Sequence, residues 1–310
     1  TERQSVFLAP PYGVARSQPS RGMQLRDDDA SHTGGGDHER LLDLLETHQE
    51  TQRHDGNQHC RSVDESALAE HERRACDRAG RRQWCGDLSD ELATLQASAP
   101  AGDFLWVGLK DPTIEEFAEV NEELGLHPLA IEDAVRGRQR VKLEHYADGV
   151  VVLVLRPLRY IEATSDIESG ELMVIVGSHF LLTVRRGEAA PLAGVRQRLE
   201  QDEELLARGP QAALHAVLDK IVDDYVAIDE EVAADLEEIE SDVFSDGDVD
   251  TGAVYRLKRE ILEFKRAVVP LSVPIHGLYG SPQSPVKDEE LQLLFRDVAD
   301  HAQQVIDHID

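Results

Sequence analysis

Apolar residues recur at steps of three and four through residues 214–309, and no other feature narrows the possible folds as far. Leu214, Val217, Leu218, Ile221, Val222 and Tyr225 open one stripe, which continues through Ile228, Val232, Leu236, Ile239 and Val243. Such spacing places side chains on one face of an α-helix. The polar run Asp246-Gly-Asp-Val-Asp-Thr-Gly252 interrupts it, and a second stripe returns through Val254, Leu257, Ile261, Phe264, Val268 and Leu271. Two stripes joined by a short polar loop predict a long antiparallel helical hairpin, here given residues 201–284. A third stripe (Leu291, Leu294, Val298, Ala302, Val305, Ile309) predicts a last helix from Pro285. It is still in phase at Asp310, with no Gly, Asn or Pro to stop it, so residues 285–310 read as the start of a truncated helix.

Upstream the periodicity changes. Phe104–Leu109 is a short apolar run closed by Asp111-Pro112, which reads as a buried strand and its stop. Thr113 is placed to cap a helix with Glu115 and Glu116 in its first turn, where the dipole favours acids. Ile114, Phe117, Val120 and Leu124 give that helix its apolar face, and Gly125 closes it. His127-Pro128 starts a second short helix through Val135. Gly149–Leu155, Glu171–Val176 and His179–Val184 read as strands, the last two joined by a turn at Gly177-Ser178. Strands interleaved with short helices predict a layered α/β domain over residues 61–200, and α+β as the class of the whole chain. Residues 1–60 carry Pro10-Pro11, Asp27–Asp29 and Gly34–Gly36 with little periodicity; they are expected to be loosely ordered, with a short helix around Glu39–Gln49.

The charge excludes whole classes of partner. With 61 acids against 32 bases the chain carries −29 at neutral pH, which leaves no basic footprint for nucleic acid. Residues 201–310 hold 26 of the acids and 9 of the bases, so 17 of the 29 excess charges are concentrated there. Cations are the natural partners of such a surface. Three cysteines form an odd set, which argues against a disulfide framework and for a reducing compartment. No run of about 18 apolar residues occurs, so the chain as it stands is expected to be soluble.

Catalytic signatures are missing: the chain has no P-loop, GxGxxG, HExxH or GxSxG, and no enzymatic activity is expected. His54, His59, Cys60, His71, Cys76 and Cys85 invite a zinc reading, but Cys76 and Cys85 stand nine apart, not as a close pair. The loop from Asp246 begins like an EF-hand, yet Thr251 and Leu257 stand where Gly and Glu are needed. The carboxylates of the first hairpin helix remain. Asp219 and Asp223 lie one turn apart, Asp224 adjoins them, and Glu237, Glu238 and Glu240 follow. They form either a solvated helix face or a coordinating one, since Mg2+ takes one or two carboxylates and keeps several waters.

Residues 126–155, from Leu126-His-Pro-Leu-Ala-Ile-Glu-Asp133 through Arg140-Val-Lys-Leu-Glu-His-Tyr146 and the following strand, resemble the cytoplasmic domain of CorA-type magnesium channels. Ile221-Val-Asp-Asp-Tyr225, Leu257-Lys-Arg-Glu-Ile261 with Val269-Pro-Leu271, and Phe295-Arg-Asp-Val-Ala-Asp-His301 agree in the same order. Val141 stands where the family usually has Pro, and the two membrane helices with their Gly-Met-Asn signature are absent. The resemblance implies an α/β/α domain with a mixed central sheet, a helical hairpin, and a stalk helix that feeds a homopentameric pore in the cell membrane. It implies that this portion lies on the cytoplasmic side and senses Mg2+, with Co2+ a further transported ion. The implied metal ligands are Glu132, Asp133, Asp219 and Asp297, shared between neighbouring subunits. Two other readings stand beside it: a zinc-transporter-type domain of the same superfamily, supported by the Cys/His stretch 54–85, and an acidic scaffold for basic partners.

Overall fold

A computed structural model of the chain describes residues 74–76, 82–84, 95–97, 102–189, 192–244 and 251–309. The expectations for residues 1–60, including the helix at Glu39–Gln49, lie outside the described residues, as does the loop 245–250.

Its sheet is mixed. Seven strands, β1 (Arg74–Cys76), β2 (Arg82–Trp84), β3 (Phe104–Lys110), β4 (Lys142–His145), β5 (Val151–Leu155), β8 (Glu171–Gly177) and β9 (Phe180–Arg186), run in the order β2-β1-β3-β9-β8-β5-β4. Among the described residues only β3 and β9 pair in parallel, from Leu105↔Phe180 to Lys110↔Arg185. A separate two-stranded ribbon, β6 (Leu158–Ile161) and β7 (Asp166–Ser169), follows β5.

Alternation along the central strands divides the apolar residues between two cores. Leu105, Val107, Val152, Val154, Ile175 and Leu182 point to one face. There they meet α1 (Ile114–Leu124) and α2 (Pro128–Arg136) through Phe117, Leu124, Ala130 and Ile131. Trp106, Leu153, Leu155, Val174 and Leu181 point to the other, toward α5 (Pro210–Phe244) and α8 (Glu289–Ile309). Between the sheet and α5 come α3 (Ala193–Gln201) and α4 (Glu203–Leu206); between the long helices come α6 (Thr251–Val268) and α7 (Ser272–Tyr279).

Local signals act where expected, with adjustments. Thr113 caps α1 through Glu116 N–H (3.1 Å), Glu116 returns the bond to the Thr113 amide (2.8 Å), and Gly125 adopts the left-handed conformation. The hairpin turn is Ser178-His179, one residue later than expected. Gly177 ends β8 opposite Phe180, where a Cβ would lie 1.8 Å from the ring. Gly149 closes a short 3-10 turn, and its strand begins only at Val151. The last helix begins at Glu289, not Pro285. Asp288 supplies its cap, accepting the Glu290 and Leu291 amides at 2.9 Å while its other contacts go to Arg208.

The hairpin is not a free-standing pair. One continuous core contains Leu214, Val217, Ile221 and Tyr225 of α5, Phe264 of α6, Phe295 of α8 and the sheet residues above. Tyr225 is fully buried, donates to the Arg156 carbonyl (2.5 Å), and meets Phe264 edge-on. Helix α8 runs parallel to α5: Phe295 packs on His215, and His308 reaches Asp229 (2.6 Å), matching 13 residues of one helix to 14 of the other. The outer part of the stripe is less covered, with Leu236, Val243 and Val254 each 44% exposed, and beside it Phe244 and Tyr255 are exposed outright.

Candidate functional site

Glu132 and Asp133 stand on α2. His127 caps that helix by accepting the Leu129 amide (3.2 Å), Pro128 fits its first turn, and Ala130, Ile131 and Ala134 fix the buried face. At its other end Arg186 of β9 donates to the carbonyls of Ala134 (2.8 Å) and Val135 (3.2 Å). With 130, 131 and 134 inward, residues 132 and 133 turn toward the helix flank. Both carboxylates have cationic partners there. Arg136 pairs with Glu132 at 2.5 Å, and Lys142 of β4 pairs with Asp133 at 2.5 Å.

Lys142 also reaches Glu144 (2.9 Å), which in turn accepts the Tyr146 hydroxyl (2.9 Å). Burial works against the Lys142 charge, but hydrogen bonds from the ammonium to Asp133 and Glu144 hold its pKa above the ordinary value. Burial likewise works against ionised Glu144, and the bonds from Lys142 and Tyr146 hold it below the carboxylate range. Burial, joined by the Glu144 and Asp133 charges, pushes the Tyr146 hydroxyl up.

Asp219 and Asp297 lie on the other side of the sheet, along the α5–α8 contact. Between them sits His215, buried, with its Nδ1 unpartnered and its ring edge-on to Phe295 at 5.3 Å. Burial lowers the His215 pKa, against the pull of Asp219 and Asp297. Burial also raises Asp219, and Asp223 one turn on raises it further, while His215, Arg198 and His301 oppose the shift. Asp297 is exposed, with His301 Nδ1 at 4.0 Å.

The four expected ligands therefore fall into two pairs with a sheet between them. Among the described residues no three His, Cys, Asp or Glu side chains gather where an ion could be held. The donors are carboxylates, the oxygen chemistry that Mg2+ takes, and Asp219 is a half-buried acid beside a second acid and so a group a cation would relieve. One chain thus presents two separate pairs of carboxylates. Sequence reasoning missed His215, although it stands one turn before Asp219 on the same face, and passed over Lys142, whose partner Asp133 is nine residues away on another element.

The fold is that of the soluble domain of CorA from Methanocaldococcus jannaschii (TM-score 0.57, 18% identity, 66% of this chain and 82% of that one). The complete CorA magnesium transporter of that organism superposes with TM-score 0.59 at 16% identity, over 76% of this chain and 71% of that one. The ZntB cytoplasmic domain from Vibrio parahaemolyticus does so with 0.55 at 13% identity, over 76% and 89%.

This chain belongs to the CorA-like Mg2+ transporter protein family, whose model matches residues 101–310. YfjQ of Bacillus subtilis is 29% identical over 198 residues, and the cobalt/magnesium transport protein CorA of Thermotoga maritima 26% identical over 193. Those matches cover 63% and 62% of this chain but only 60% and 54% of the two relatives. The family is one of membrane transporters, not of enzymes. Among the described residues no helix is long and apolar enough to cross a membrane.

Proposed function

We propose that this chain is the Mg2+-sensing, gating portion of a CorA-like divalent-cation channel, working on the cytoplasmic side as part of a homopentamer. The observation that carries the reading is the separation of Glu132 and Asp133 from Asp219 and Asp297 by the chain's own sheet. A chain so built completes a site only when the α2 side of one copy meets the α5–α8 side of the next. A dication bound there would neutralise the carboxylates gathered on the α5–α8 side and join them to the acids of α2. The chain's own part is the repulsion: Asp219 and Asp223 one turn apart, with Asp297 across the helix contact, disfavour the closed boundary when no cation is present. Several boundaries per ring make the response steep, because the ligand shifts the population by its differential affinity at each. Co2+ is a second transported ion on this reading.

Thermal unfolding of the chain with and without MgCl2 tests it, because binding to the native state stabilises by about 2.7 kcal/mol at a hundredfold excess over Kd. The expected result is a Mg2+-dependent rise in Tm that Asp297→Ala abolishes, with sedimentation showing Mg2+-favoured assembly. No rise at any concentration, or one untouched by Asp297→Ala, overturns the reading. The ZntB neighbour supports a second reading, a zinc-transporting relative. The all-carboxylate set Glu132, Asp133, Asp219 and Asp297 suits Mg2+, whereas the zinc reading draws on the Cys/His stretch 54–85, most of which lies outside the described residues. Stabilisation by micromolar ZnCl2 with no response to MgCl2 would select it.

A further inference from the structure

Asp133 already has a cation. The Lys142 ammonium lies 2.5 Å from its Oδ2, and both side chains are mostly buried (16% and 17% exposed), so the pair is shielded from solvent screening. Lys142 is also within 2.9 Å of Glu144 Oε1. The strand explains this arrangement: residues 142 and 144 share one face of β4, while Val141 belongs to the core on the opposite face. Tyr146 holds the second oxygen of Glu144 in place. One ammonium therefore has two acceptors on separate elements, Asp133 on α2 and Glu144 on its own strand.

A lysine suits an exchange between them. Its ammonium is a point charge on a flexible four-carbon stem, whereas an arginine fork would bind a carboxylate in a fixed planar geometry. Releasing a partly buried charge is costly when nothing replaces the partner. Here Glu144 remains bonded, so Lys142 can leave Asp133 without becoming an orphan.

We propose that Lys142 is a tethered competitor for the divalent cation at Asp133, released onto Glu144 when the dication arrives, and that its grip sets the Mg2+ concentration the site responds to. This rests on the reading of Asp133 as a ligand. Arg136 plays the same part at Glu132 more weakly, because that pair is more exposed.

Isothermal titration of MgCl2 into the 310-residue chain, at fixed ionic strength and with circular dichroism confirming the fold, separates the outcomes. Lys142→Met should bind Mg2+ about tenfold more tightly than the unaltered chain, the scale of one charge-assisted hydrogen bond. Glu144→Gln keeps a neutral amide oxygen but takes the charge from the fallback acceptor, so Lys142 is drawn less readily from Asp133 and Mg2+ should bind several-fold more weakly. Lys142→Arg should bind no more tightly than the unaltered chain. Lys258→Met, which removes an exposed charge on α6, controls for the change in overall field and should leave the affinity unchanged within about twofold. A purely structural role for Lys142 would weaken binding in both Lys142→Met and Glu144→Gln, and that result overturns the proposal. Equal affinities in Lys142→Met and the unaltered chain overturn it too. Should Lys142→Met fail to fold, Glu144→Gln decides alone: undiminished affinity there rejects the competitor. Absence of saturable Mg2+ binding in every variant rejects instead the assignment of Asp133 as a ligand.

Discussion

The two carboxylate pairs differ in what surrounds them. Glu132 and Asp133 each have a basic side chain at 2.5 Å, and Asp133 shares its partner with Glu144. Asp219 faces another acid and a buried histidine whose pKa is lowered, so the nearest ring is a poor source of positive charge at neutral pH. Arg136 and Lys142 offset much of the charge around the first pair, whereas burial and Asp223 work against the charge of Asp219. In the proposed boundary one of each would meet, and the drive for a cation would come from the α5–α8 side, while the α2 side would set how readily it is accepted.

The largest effect should follow from making the α5–α8 side worse. His215→Glu adds a buried acid between Asp219 and Asp297 and should cost about 3 kcal/mol or more in chelator, the usual penalty for an unpaired buried charge. Thermal unfolding in EDTA checks this, and a loss under about 1 kcal/mol would mean that the α5–α8 contact is already open to water. A smaller and more telling contrast comes from neutralising one acid on each side. Asp133→Asn should destabilise the cation-free chain by about 1–2 kcal/mol, because it breaks a partly buried charged hydrogen bond. Asp219→Asn should stabilise it by about 0.5–1 kcal/mol, since its ionised form is disfavoured in the fold. Denaturant titration of both variants in EDTA tests the difference; the same sign for both would erase the distinction.

The smallest effect is in the pH dependence. His215 has a lowered pKa when folded, so below about 6.5 the unfolded chain takes up a proton that the folded chain does not. Stability should therefore fall as pH drops through that range, with a slope of up to one proton per molecule. Asp219 works in the opposite sense: its folded pKa is raised, so it favours the folded chain at low pH and that contribution is lost as pH rises through the folded value. His215→Asn should remove the downward slope near pH 6.5 and leave the Asp219 contribution at lower pH. Melting curves from pH 5 to 8 would reveal it, and an unchanged slope in the variant assigns the proton elsewhere.

Legibility in the sequence followed the strength of local signals. Thr113, Glu116 and Gly125 bracket α1 because caps act within one turn of the chain, and Leu153 and Val154 alternate because strand geometry has period two. Short polar elements escaped. Lys142–His145 and the β6–β7 ribbon are four-residue strands with charged alternate positions, stabilised by neighbours distant in the chain. In the ribbon, the Ile167 amide is satisfied by buried Glu260 of α6 (2.8 Å) and Tyr160 by Asp235 of α5 (2.6 Å). The outer hairpin stripe shows the converse: Leu236, Val243 and Val254 keep helical phase but stay 44% exposed, since periodicity names a face and not what covers it.

By itself the sequence determined the stripes of the long helices, the capped helix at 114–124, the buried strands and the acidic balance, which rest on residue type and spacing along one segment, while Glu132, Asp133, Asp219 and Asp297 were singled out only through the family resemblance. The tertiary structure alone decided that a sheet separates those acids two and two, that α8 runs beside α5, and that Lys142 holds Asp133. Those facts depend on which side of a sheet a crossing helix takes and on ion pairs between elements. Close-range electrostatics cannot be read from residues whose distance is set only when the chain packs.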